Sequence, residues 1–212
     1  MRTNIENIKA FLIETLNRKS SISLYANYFS RMEENFAKYN LLDELGAFIC
    51  DYLTIYSNGK VLKDEDIYSY FRDFYMYAAR MKTDENILKH IYRYSNYYLK
   101  LLTLEISDVD VKNLISKINK IGAVDTYPYL LEVFEDYEFA HINKNTFLDI
   151  LETVVEYAAN RKFSEKEYVP FSVLSNELNK MLAMKNYVPQ VSTNPIAPKS
   201  GKITINDLLN QY

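Results

Sequence analysis

Tryptophan is absent from the 212 residues, cysteine occurs once, and glycine and proline number only 4 and 5. So few turn-formers exclude a many-stranded sandwich or barrel, which needs punctuation every 8–12 residues or so. The single Cys50 excludes an internal disulfide and points to a cytoplasmic protein. No apolar run approaches the roughly 18 residues that span a bilayer. Glu6, Lys9 and Glu14 interrupt the N-terminal segment where a signal peptide would need an apolar core.

Motifs for chemistry are scarce too. The two histidines, His90 and His141, fall in different elements, and no HExxH, CxxC or closely spaced Cys/His set accompanies them. Each reads as a solvated side chain rather than a metal ligand. The dispersed glycines form neither a Walker loop nor a GxGxxG run, and no GxSxG elbow is present. Cys50 stands beside Ile49 on an apolar stripe and reads as a buried small hydrophobe. Glu132, Glu135 and Asp136, at i, i+3 and i+4, have the spacing of a solvated helix face, with Glu138 close by. These absences give an expectation of no catalytic residue, no metal and no cofactor.

What is present is helical periodicity. Ile5, Ile8, Leu12 and Leu16 form one stripe, followed by Leu24, Tyr28, Met32 and Phe36, then by Leu42, Leu45, Ile49, Tyr52 and Leu53 up to Ser57-Asn58-Gly59. Asp64-Glu65-Asp66 opens a helix whose buried face is Ile67, Tyr70, Phe71, Phe74, Ala78 and Met81. Thr83 caps the segment with Ile87, Ile91, Tyr94, Tyr98 and Leu101, and Ser107 with Asp110 reads as a capping box for the next, which Gly122 ends. Pro128 sits in a first turn, Asn143 caps the following helix, and Pro170 precedes the last. The fold class is all-α, an irregular bundle of about eight to nine helices. Residues 1–187 form the helical domain, and residues 188–212, with Pro189, Pro195, Pro198 and Gly201, an extended tail or linker ending in a short helix capped by Thr204.

Charge is distributed unevenly. Residues 1–104 carry 14 basic and 13 acidic side chains, residues 105–160 carry 4 and 11, and residues 161–212 carry 7 and 4. The middle stretch repels a phosphate backbone, so contact with DNA falls to the flanks. Two basic groups stand out there: Lys89, Arg93, Tyr97 and Lys100 on one helix face, and Arg161-Lys162. Both are candidate nucleic-acid contacts, and solvated surface cations are the competing reading. The 20 tyrosines and 11 phenylalanines suit seams between helices, with base stacking as the alternative.

Several segments, taken in order, resemble the GmrSD-type restriction proteins. The stretch from Ala47 to Tyr75, AFICDYLTIYSNGKVLKDEDIYSYFRDFY, is similar to that family's "yL-x-k-x-G-k … k-x-x-x-iY-x-x-F" region. IKAFLIETL and LYANYFSRMEENF precede it in the family's order. YPYLLEVFEDYE, FLDILETVVEYAANRK and SNELNKMLA follow, resembling the "YP-x-LL" helix, the helix ending in a basic pair and the "tN-x-LN-k-x-fa" element. The resemblance covers about residues 5–187. It implies the helical middle region of a modification-dependent bacterial restriction protein acting against phage, or a shortened relative. Neither the DGQQR-type motif of the family's nucleotide-hydrolysing, ParB-like domain nor an HNH nuclease site occurs here. The implied partners are the other domains of the parent protein, with DNA and a second copy of the chain as further candidates and no membrane; a generic protein-interaction scaffold unrelated to restriction, with the tyrosines and the tail after Lys185 as contact surface, is the remaining alternative. Lys162 stands where the family carries a second arginine, and an ammonium lacks arginine's two-pronged fork.

Overall fold

The computed structural model describes residues 2–57, 64–163 and 170–184. The expected tail over 188–212 lies outside them. All regular structure among the described residues is helical. The α-helices are α1 (Arg2–Arg18), α2 (Arg31–Lys38), α3 (Leu45–Tyr56), α4 (Ile67–Ala78), α5 (Asp84–Thr103), α6 (Val109–Ile121), α7 (Tyr127–Glu138), α8 (Lys144–Phe163) and α9 (Phe171–Met184). A π-helical segment, Tyr25–Ser30, runs directly into α2, and short 3₁₀ turns precede α3, α4 and α7. No helix among the described residues is long and apolar enough to cross a membrane. Within the span read from sequence as one helical domain, they group as two compact units, residues 2–57 with 64–96 and residues 97–163 with 170–184.

In the first unit, the α1 stripe Ile5, Ile8, Leu12 and Leu16 is buried and packs on α3 and α4. Burying each such side chain contributes about 1.5–3 kcal/mol. Phe48, Ile49 and Tyr52 from α3 and Phe71, Phe74 and Tyr75 from α4 complete an aromatic core. The expected α4 face is corrected at its end. The helix stops at Ala78, so Met81 is 49% exposed, while Tyr75 is buried in its own turn. Leu42 is likewise exposed, because it sits in the 3₁₀ turn before α3. Asp84, the first residue of α5, accepts from the Tyr75 hydroxyl at 2.9 Å and pairs with Lys19 at 2.9 Å. An acid there also suits the helix N-terminus.

The π segment alters the second predicted stripe. A π turn holds one residue more than an α turn. The buried side chains are accordingly Phe29, Met32 and Phe36, and Tyr28 is left half-buried.

In the second unit, α6 and α8 form the main pair, built from Val111, Leu114, Ile115 and Ile118 against Phe147, Ile150, Leu151 and Val154. The expected capping box at Ser107 is corrected by one residue. Asp108 has the extended backbone of an N-cap, and its carboxylate accepts from the N–H groups of Asp110 and Val111. Gly122 ends α6 in the left-handed region at φ 81, and Asn143 Oδ1 accepts from Thr146 N–H at 3.0 Å, both as the sequence indicates. Asn119 fastens three elements: its amide donates to the Leu101 carbonyl at 2.7 Å, and its oxygen accepts from the Tyr127 hydroxyl at 3.0 Å.

Candidate functional site

The six candidate contact residues are placed unequally. Lys89 and Arg93 belong to the part of α5 in the first unit; Tyr97, Lys100 and Arg161 belong to the second. Lys89 is exposed and Arg93 half-buried. Tyr97 does not share their open face: it is 3% exposed, its ring stacks on Phe134 with centroids 5.8 Å apart, and its hydroxyl donates to Glu135 at 2.9 Å. Lys100 pairs with Glu138 at 2.6 Å. Arg161 is ion-paired with Asp125 and lies 5.5 Å from the Tyr157 ring centroid. Burial pushes the Tyr157 hydroxyl up to about 12. The side chain of Lys162 lies outside the described residues.

Around Lys89, α5 faces the π segment and α2 through polar groups. Tyr28 donates to Glu85 at 3.0 Å, and its ring meets that of Tyr92 at 6.2 Å. Farther along, the Asn35 amide donates to the Tyr92 hydroxyl at 3.3 Å and to Asn96 Oδ1 at 3.2 Å. Glu85, Lys89, Tyr92 and Asn96 recur at i, i+4, i+7 and i+11, the spacing of one helical stripe. Desolvation, followed by the hydrogen bond to Glu85, raises the Tyr28 hydroxyl above its ordinary value, while the charge of Arg31 opposes the rise.

Three expectations of solvated or buried side chains are corrected. His90 is 3% exposed. Its Nδ1 lies 2.9 Å from the Tyr52 hydroxyl, its ring stacks on Tyr94 at 4.4 Å, and Nε2 is buried without a hydrogen bond among the described residues. Burial, and then the nearby Arg93 charge, push the imidazole down to about 3, so it is neutral at pH 7. Ile87 and Tyr94, one turn away on either side, were the sequence signal for its burial. Glu135 and Asp136 are 6% and 8% exposed instead of solvated, because α7 is covered on most of its circumference. Asp136 lies 3.2 Å from His141 Nδ1; burial raises its carboxyl above the ordinary range, and His141 partly counters this. Cys50 is half-buried rather than enclosed.

Among the described residues, no group of three or more His, Cys, Asp and Glu side chains could hold a metal ion. The buried His90, Glu135 and Asp136 are each hydrogen-bonded to a neighbour: Tyr52 on α3, Tyr97 on α5, and His141 in the turn after α7. No protein-family model, curated protein or solved structure matches the chain.

Proposed function

We propose that the chain is a non-catalytic helical module of a GmrSD-like bacterial restriction protein acting against phage. It connects and orients nucleotide-hydrolysing and nuclease parts carried elsewhere in the parent protein. The ordered segment resemblance motivates the family, and one structural observation supports the non-catalytic role. The buried charged or imidazole side chains are each paired with a separate neighbour: His90 with Tyr52 of α3, Glu135 with Tyr97 of α5, and Asp136 with His141 in the turn after α7. A nucleophile and base need a reacting atom between them, and these pairs leave the hydroxyl or imidazole in contact with its structural partner. Purified chain supplied with nucleoside triphosphate, magnesium and supercoiled plasmid is expected to give no turnover. Hydrolysis or nicking that co-elutes with it through successive columns overturns the reading.

A second reading, contact with DNA, is favoured by one contrast. Lys100 and Arg161 are neutralised by acidic partners, whereas exposed Lys89 has no ion-pair partner among the described residues. An uncommitted cation can exchange its counterions for phosphates without breaking a native pair. Mobility shifts that weaken with salt support this reading, and no shift at low salt removes it.

A further inference from the structure

We propose that the polar seam formed by the π segment and α2 with the first part of α5 binds single-stranded nucleic acid, with Arg31 and Lys89 on phosphates and Tyr28 and Tyr92 against a base. The proposal rests on the DNA-contact reading and gives it a location in the first unit. Single polar pairs such as Tyr52–His90, Tyr75–Asp84 and Lys9–Glu33 also cross this unit, but the seam gathers three hydrogen bonds, Tyr28–Glu85, Asn35–Tyr92 and Asn35–Asn96, beside two tyrosine rings. Those bonds hold two tyrosine rings only half-buried, so each retains open surface.

Cations flank the rings. Arg31 is exposed, one turn before Asn35 on α2, and near enough to Tyr28 for its charge to act on that hydroxyl. Lys89 lies one turn from both Glu85 and Tyr92. Neither cation has an ion-pair partner among the described residues, in contrast to Lys9, Lys19, Lys100, Lys144 and Arg161. The amides add a reading edge. Asn35 uses its NH₂ and Asn96 its oxygen in their mutual bond, leaving the Asn35 oxygen as an acceptor and the Asn96 NH₂ as a donor, both without partners among the described residues. A neighbouring acceptor and donor match the mixed edge of a nucleobase. Bases in a duplex have their faces covered by stacking, so rings and amides presented together suit an unpaired strand. Glu85 is the opposing charge at the seam, and it repels phosphate.

The test is fluorescence anisotropy of a labelled oligothymidylate and of a matched duplex with the full chain at low and moderate salt. The single strand is expected to bind more tightly than the duplex. The double variant Arg31→Gln/Lys89→Gln, altered only at exposed positions, should lower the slope of log K against log salt by about 1.4, two contacts at roughly 0.7 each. Tyr28→Leu should weaken binding roughly five- to a hundredfold at both salts, while Tyr28→Phe, which keeps the ring and loses only the bond to Glu85, should weaken it far less. Glu85→Gln should tighten it. Thermal unfolding of Tyr28→Leu separates lost binding from lost fold, and the exposed double variant keeps the proposal testable if that variant is unstable. Strand binding that persists unchanged in the double variant, or a preference for the duplex, overturns the seam and leaves the DNA-contact reading standing. Absence of any binding at low salt overturns both.

Discussion

The two units share a fold class and differ in what they bury. The first encloses Phe29, Phe36, Phe48, Tyr52, Phe71, Tyr75 and Tyr94, with a neutral imidazole, His90, among the rings. The second buries rings too, among them Tyr97, Phe134 and Phe147 beside the mostly aliphatic α6–α8 pair, but its buried charged side chains are the carboxyls of Glu135 and Asp136. Helical spacing alone does not dictate this difference, since both units carry apolar residues at the same intervals. It arises from which polar group can find a partner: a tyrosine hydroxyl satisfies one nitrogen of His90, and Tyr97 and His141 satisfy the acids.

The contrast has opposite consequences for acid. His90 has a folded value below its unfolded one of 6.5, so its neutral form is favoured by folding. Its contribution is present in full above pH 6.5 and is lost as pH falls towards about 3, at about 1.4 kcal/mol per pH unit. Asp136 has a folded value raised above its unfolded 3.8, so folding favours the protonated acid. Its contribution is greatest below pH 3.8 and declines as pH rises through the folded value, so acidification relieves the second unit at this position.

Substitutions sharpen the comparison, beginning with the largest effect. Phe71→Ala removes a fully buried ring that meets Phe11 and Tyr75, and should cost about 3–5 kcal/mol. Hydrogen exchange should then quicken in α1, α3 and α4 before α6 and α8; equal loss in all five breaks the distinction between the units. Tyr97→Phe leaves the buried Glu135 carboxyl without its hydroxyl donor and should cost about 1–3 kcal/mol in urea unfolding. An unchanged midpoint would mean that Glu135 reaches another donor or water. Gly122→Ala has open space around the new methyl but places it at φ 81, so it should cost about 1–2 kcal/mol from the backbone alone. A stability change near zero would remove the left-handed turn from the account of how α6 ends.

Much of this architecture is legible in the residues. The α1 stripe is regular because Ile5, Ile8, Leu12 and Leu16 keep helical spacing throughout. Thr83, Asn143, Gly122 and Pro128 each carry local chemistry that fixes a helix end, and the folded chain uses all four. The π segment is not legible, because one additional residue per turn leaves no mark on composition and is selected by the burial of Phe29 over Tyr28. Ser107 and Asp108 are adjacent residues with capping side chains, and the backbone conformation at Asp108 decides between them. Of the candidate contacts, Lys89 keeps an open setting, whereas Tyr97 is taken into the core. Tyr97 belongs to the buried side of α5 because Tyr98 and Leu101 extend that apolar stripe far enough around the helix to include it. Arg31 and Tyr28 carry no sequence motif and join Lys89 only through packing across the seam.

The most direct measurement is amide protection at pH 7 and pH 4.5, resolved along the chain, for the native protein and for His90→Phe. The account predicts that acid lowers protection in α3 and α4 of the native protein, and that α6 and α8 are spared in proportion. The variant, lacking the titrating imidazole, should lose little between the two pH values. Equal acid sensitivity in both units, or an undiminished acid loss in His90→Phe, would contradict the claim that the buried imidazole of the first unit and the buried Asp136 of the second set their opposite responses.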